Sequence, residues 1–232
     1  MTSRVDENRQ SSAAVQANES IVLLTKPQLE GVGTEDEFLS CVQEKLGGEL
    51  VHPQEGQSVQ AGKDGKAPFK IYGEQQFTDA MFPWFEPSTA PANAAGLKGL
   101  LERPGVTQRL EQIGVRYVVW LDGTTRRTNG GGGVSCAVGG PTVVGCFGVG
   151  WWDKESDYVA TIWDLQTATE IGSVTADVTG TSVFIGAVAP IPIITPVQTT
   201  ACNRLSEQLR SFLVGSDLVE AAPAAATGGG GH

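Results

Sequence analysis

Val106–Asp164 begins VTQRLEQIGVRYVVWLDGTTRR, passes through a glycine-rich stretch holding Cys136 and Cys146, and ends on VGWWDKESDYVATIWD. Leu110 and Ile113 share one face of a helix that Gly114 stops, and the chain then feeds straight into Arg116–Asp122. The apolar centre of that segment, VVW, has no alternation, which marks a strand covered on both faces. Val134–Val138 and Val143–Gly150 read as two strands about Gly139-Gly140-Pro141, and Gly130–Gly133 as a hairpin tip or mobile loop. Tyr158–Leu165 alternates as a further strand, and a turn at Gln166–Thr169 leads into another at Ile171–Val178. Strands joined by short turns predict a mainly antiparallel sheet.

Outward from this centre, residues 1–19 are polar and aperiodic and are expected to be a disordered lead or tether. Ile21–Lys26, IVLLTK, is a short apolar run stopped by Pro27, as a buried strand would be. Thr34 and Glu37 have the spacing of a capping box, and Phe38, Val42 and Leu46 then fall on one stripe, so Glu35–Leu46 is expected as an amphipathic helix before Gly47-Gly48. Glu49–His52 reads as a strand ended by Pro53, and Gln54–Lys70 as a surface loop. Gln75–Phe82 suits a short helix. The PWFEPSTAP segment that follows is stiffened by Pro83, Pro87 and Pro91. Leu97, Leu100 and Leu101 give a helical turn broken at Arg103-Pro104-Gly105. Gly180–Pro196, rich in proline, is expected along a sheet edge or over the surface. Thr199 or Thr200 caps a last helix whose buried face is Cys202, Leu205, Leu209, Phe212 and Leu213. The Ala, Pro and Gly tail over 216–232 is expected to be disordered. The fold class is therefore α/β, of α+β-like character: one domain over 20–215 with helices packed on a mixed, mainly antiparallel sheet.

The chain has 232 residues, 40% of them hydrophobic, enough for one sizeable core. Its formal charge of -10 argues against a nucleic-acid partner, which would call for a basic face. Arg126-Arg127 is the one local basic pair and reads as an exposed strand end. No run approaches the roughly 18–20 apolar residues of a membrane-spanning helix. The first twenty residues lack the apolar core of a secretory leader. The four cysteines, Cys41, Cys136, Cys146 and Cys202, show no paired spacing of the kind a zinc site uses. Two disulfides formed in an oxidising compartment account for them, with Cys136–Cys146 across a hairpin and Cys41–Cys202 between two helices. Four buried free thiols in a cytoplasmic protein are the alternative.

No stretch carries a complete catalytic or ligand-binding motif. AGKDGK lacks the spacing and the hydroxyl residue of a phosphate loop, since Lys66 is followed by Ala67 and Pro68. Asp153, Glu155 and Asp157 have the ligand alternation that opens a calcium loop, but Tyr158 stands where glycine is required, so a solvated turn between strands is the better reading. His52 and His232 are the two histidines, and no nucleophile elbow or metalloprotease motif occurs. Trp120, Trp151, Trp152 and Trp163 read as packing on the sheet. No catalytic residue, metal site or cofactor is expected. Aromatic residues held on the proline-braced loop either cover the core edge or form a contact surface; on the second reading Trp84, Phe85 and Glu86 are the candidate contact residues, with the glycine-rich hairpin as a further part of the working surface. A hydrolytic site built from Asp153, Asp157 and Asp164 is the competing expectation.

In order, IVLLTK, the capped helix, IGVRYVVWLDG, the hairpin ATIWDLQTATEIGSV and the helix TTACNRLSEQLRSFL resemble bacterial envelope lipoproteins over Ile21–Val214. That group includes the curli-secretion channel lipoprotein and the outer-membrane activator of a penicillin-binding protein. The resemblance implies a non-enzymatic accessory or scaffold protein, in the periplasm or on the periplasmic face of the outer membrane, that acts on envelope protein partners through protein contacts. It brings no catalytic residues with it. A homo-oligomer is compatible with it, whereas a lipid tether is not supported, because no lipobox cysteine stands near the start.

Overall fold

One strand and its two neighbours organise the molecule. Val115–Gly139 is continuous strand, and it pairs antiparallel with Thr142–Asp164 from Tyr117↔Asp164 at one end to Gly139↔Thr142 at the other. Thr169–Gly186 then pairs antiparallel with the second of these. The computed structural model describes residues 1–11, 13, 15–16, 19–25, 34, 36–47, 49–51, 69–86, 88–91, 93–139, 142–186 and 190–214, with backbone alone at 49–51, 94, 137–139, 142–146 and 190–192. Along the chain run β1 (Thr2–Arg9), β2 (Ser20–Thr25), α1 (Asp36–Leu46), β3 (Glu49–Val51), β4 (Lys70–Tyr72), α2 (Glu74–Ala80), α3 (Ala94–Leu101), α4 (Val106–Ile113), β5 (Val115–Gly139), β6 (Thr142–Asp164), β7 (Thr169–Gly186), β8 (Pro190–Ile193) and α5 (Val197–Val214).

The strands form one eight-stranded sheet in the order β1-β7-β6-β5-β2-β4-β3, with β8 on β7. Pairs β2–β5, β2–β4 and β3–β4 are parallel and the rest antiparallel, so the sheet is mixed, as expected. Alternation along β2 and β5 separates two cores. Ile21, Leu23, Tyr117, Val119 and Leu121 face α1 and α5, whereas Val22, Leu24, Val118 and Trp120 face α2, α3 and α4. The VVW run is thus covered on both faces, which is why it lacks polar residues. α1 and α5 are joined by the Cys41–Cys202 disulfide, the helix-to-helix bridge expected from the sequence.

Several expectations need correction. Residues 2–9 are not a disordered lead: they form β1, paired with β7 from Thr2↔Thr179 to Arg9↔Gly172. An edge strand needs little apolar surface once its main chain is paired. Here the polar side chains also find partners, with Arg9 bonded to Glu7 at 2.7 Å and its guanidinium 4.5 Å from the Phe212 ring centroid. The Thr34 hydroxyl donates to the Leu121 carbonyl at 3.3 Å, so it ties the helix entry to β5 and does not close a capping box; Glu35 lies outside the described residues. α5 starts at Val197, ahead of the expected threonine cap, and the Thr200 hydroxyl donates back to the Pro196 carbonyl at 2.9 Å. Gly130–Gly133 is not a hairpin tip. It lies within β5 opposite Trp152, Trp151, Gly150 and Val149, because cross-strand pairing satisfies the backbone that glycine leaves flexible. Separate strands expected at 134–138, 143–150 and 158–165 are parts of β5 and β6. The AGKDGK loop, His52, Lys66 and the tail over 216–232 lie outside the described residues.

Candidate interaction surface

The candidate loop splits. After α2 the chain turns so that Phe85 is buried, with its ring 4.8 Å from Phe77 in an edge-to-face contact, and Trp84 packs half-buried against the same cluster. Phe85 is therefore a core residue and not a contact residue. The cause is the apolar face left open by α2 and α4, which a ring on a stiff loop fills. Glu86 is half-buried and its carbonyl accepts the backbone N–H of Thr89 at 2.8 Å, which holds the turn. The exposed aromatic of this segment is Phe82, at 66%.

The acidic residues do not converge. Asp157 and Asp164 are about 24 Å apart along one extended strand, at roughly 3.4 Å per residue, and Asp153 lies farther out. The Asp153–Asp157 segment is interior to β6 and is not a turn. Each carboxylate has a local partner. Asp153 accepts the Thr181 hydroxyl at 2.6 Å, Asp157 pairs with Arg126 at 3.1 Å, and Asp164 accepts the Gln166 N–H at 2.8 Å and Arg116 at 3.4 Å. Burial pushes the Asp157 carboxyl above the ordinary carboxylate range; Glu155 and Asp177 add to the rise and Arg126 opposes it. Asp177 lies directly across the ladder from Asp157, so the two carboxylates share one face. Among the described residues no group of three or more His, Cys, Asp or Glu could hold a metal ion. Trp120 and Trp163 are buried with ring centroids 5.7 Å apart, as the packing reading requires, whereas Trp151 is 40% exposed.

The surface that stands out is the far end of the β5–β8 ribbon. Beyond Leu121, the last residue that β2 reaches, β5, β6 and β7 continue outward, and β8 joins them through Val183↔Ile193. On one face of this end Val149 stands between Gly133 and Ile185, and Trp151 between Gly131 and Val183. Phe147, Val149, Trp151, Ile185 and Ile193, all exposed, make that face apolar. On the other face Trp152 and Phe184 lie 6.5 Å apart, and the Phe184 ring occupies the space a Cβ on Gly150 would take. Five exposed apolar side chains thus share one face of the ribbon end. Sequence reasoning pointed to the glycine-rich hairpin but not to these residues of β6–β8, though a signal was present. No charged residue occurs from Thr128 to Trp152 or from Val178 to Asn203, in a chain that is 18% charged.

The cysteines divide in the same way. Cys41–Cys202 is a disulfide inside the body. Cys136 stands opposite Cys146 near the end of the ribbon, the cross-strand placement expected for the second pair. Among the described residues no helix is long and apolar enough to cross a membrane.

No family model matches the sequence, and no curated protein matches it. Among solved structures, the chain is similar to PelC dodecamers from Paraburkholderia phytofirmans in two crystal forms. A point variant of PelC aligns at 11% identity over 91% of this chain and 98% of that one, with a TM-score of 0.41. A second PelC structure aligns at 11% identity over 91% and 97%, with a TM-score of 0.40.

Proposed function

We propose that this is a non-enzymatic cell-envelope accessory or scaffold protein that works by contact, and that its working surface is the uncharged end of the β5–β8 ribbon. One observation carries the reading: Phe147, Val149, Trp151, Ile185 and Ile193 are held exposed on a four-stranded platform beyond the helices that cover the rest of the sheet. Leaving that much apolar surface in water is unfavourable by about 25 cal/mol per Å², so a partner that covers it gains affinity. The Cys41–Cys202 disulfide supports an oxidising, extracytoplasmic compartment. Resemblance to envelope lipoproteins supports the periplasm or the periplasmic face of the outer membrane. The carboxylate spacing along β6 gives the hydrolase alternative no support.

A second reading has its own observation. The uncharged lengths Thr128–Gly139 and Thr142–Trp152 are long enough for the roughly 9–11 residues a strand needs to cross a bilayer, and Trp151-Trp152 border the charged Asp153-Lys154-Glu155 as interfacial aromatics do. On this reading the same surface meets lipid.

The test is the double variant Val149→Asp and Ile185→Asp, compared with wild type in fractionated bacterial cells and on phosphatidylglycerol/phosphatidylethanolamine vesicles. Both positions are exposed, so the variant should fold normally by circular dichroism. It should leave the envelope fraction for the soluble one. Wild-type flotation with vesicles, together with a blue shift of tryptophan emission, would select the lipid reading. Undiminished envelope association of the variant would reject the ribbon as the working surface.

A further inference from the structure

A sheet edge exposes unpaired N–H and C=O groups, and proteins that stay monomeric protect such edges. Three edges of this sheet carry recognisable protection. β1 presents Arg4, Asp6, Glu7 and Arg9, tied into ion pairs. β8 contains Pro190 and Pro192, two residues apart; alternation directs both ring nitrogens the same way, and pairing through Ile191 and Ile193 to β7 directs them outward, where donors are missing. β3 is three residues long.

The outer edge of β5 from Thr128 to Gly139 is different. No described strand pairs with it, and it contains no charge and no proline. Register shifts at Arg127/Asn129 and at Ala137/Val138 bound an even stretch, Asn129–Ala137, with Gly133 at its midpoint. The Gly130 N–H bonds to the Asn129 side chain at 2.9 Å, so that amide points away from β6. Alternation then turns the peptide groups of Gly132 and Val134 outward as well. An added Cβ on Gly132 would lie 2.7 Å from the Val149 carbonyl oxygen and 2.8 Å from the Gly150 Cα, closer than a side chain tolerates, so this position of the ladder takes glycine.

We infer that the β5 edge pairs antiparallel with the β5 edge of a second copy, about a two-fold axis at Gly133. An antiparallel edge is its own complement: the outward groups of Gly132 meet those of Val134 in the partner, and the reverse. Charge does not oppose a second copy in this arrangement despite the net charge of -10. The shared segment is neutral, and Arg126-Arg127 of one copy lie at the opposite end of the interface from those of the other. The glycines let the two backbones meet without side-chain obstruction. The inference uses the strand's edge and not its apolar face, so it stands or falls separately from the proposed function.

Gly133 faces itself across the axis in a close pair, and a Cβ there meets nothing within 4 Å, so Gly133→Cys is the direct probe. On non-reducing gels G133C should run as a dimer that reductant returns to monomer. Ser135→Cys, offset from its own copy, should stay monomeric. Wild-type protein should show twice the chain mass by light scattering. V134P, which removes one outward donor, and V134K, which adds an edge charge, should both be monomers with unchanged circular dichroism. Val149→Lys, on the face of the middle strand, should remain dimeric. Amide exchange at Gly132 and Val134 should be slow in wild type and fast in V134K. A monomeric wild type, a G133C protein that never cross-links, or V134P and V134K that keep the dimer mass would each overturn the inference. A wild-type mass above two copies would do so as well, since it requires an edge other than β5.

Discussion

Glu74 shows how a single group couples the second core to pH. Its carboxylate accepts the Thr25 hydroxyl at 2.9 Å and the Thr25 N–H at 3.4 Å, where β2 ends against the start of α2. Burial nevertheless pushes its carboxyl above the ordinary carboxylate range; the Thr25 bonds oppose the rise and Asp36 adds to it. With the folded value raised, its favourable contribution is complete below the ordinary carboxylate range and is lost as pH climbs through the raised value. Glu74→Gln should therefore raise the melting temperature at pH 7, and the difference from wild type should shrink as the pH is lowered below that range. A pH series of thermal melts measures it. Phe85 makes the complementary residue-scale point. Its aromatic character and proline-rich context were legible in the sequence, but the face it turns depends on the space between α2 and α4, which no local pattern records.

At the scale of elements, the buried faces of α1 and α5 were legible, though not their starts, because their apolar stripes repeat at helical spacing: Phe38, Val42 and Leu46 on one, Leu205, Leu209, Phe212 and Leu213 on the other. Their bridge closes a long loop, with Cys41 and Cys202 separated by 161 positions. Confining the unfolded chain over so long a loop stabilises the fold by about 3–5 kcal/mol. The paired variant Cys41→Ser and Cys202→Ser should lose stability of that order in denaturant unfolding, with its secondary structure unchanged at 25 °C. β1 was not legible. Its sequence, TSRVDENR, is that of a solvated segment, and it becomes a strand only because β7 offers a matching edge. Likewise Gly130–Gly133 within β5 resemble a loop until β6 pairs with them.

The whole molecule has two helical layers on one sheet, and both layers draw on the same strands. Leu209 in α5 and Leu110 in α4 lie on opposite faces, yet each buries against β5 or its neighbours. Leu209→Ala should cost about 2–5 kcal/mol and Leu110→Ala less, since Leu110 is 5% exposed where Leu209 is fully buried. Both should lower a single unfolding transition seen alike by tryptophan emission and by circular dichroism, because layers that share a sheet cannot melt separately. Two resolved transitions would show instead that they do. The uncharged ribbon end belongs to this scale too. Its residues come from two stretches of sequence, and only the register of β6 on β7 sets Val149 beside Ile185 and completes an apolar face.

By itself the sequence determined the α/β class, the central strand buried on both faces, the two helices that carry the long bridge, and the absence of recognisable catalytic motifs. Each of these is written in local periodicity or residue chemistry, which the chain carries wherever it folds. The tertiary structure alone decided that a polar N-terminal segment is a strand, that the glycine run lies within a ribbon and not at its tip, and that the exposed apolar surface is on β6–β8 and not on the proline-braced loop. Those outcomes depend on pairing between segments far apart in sequence, where a satisfied main chain and a shared face outweigh the preferences of the residues taken one by one.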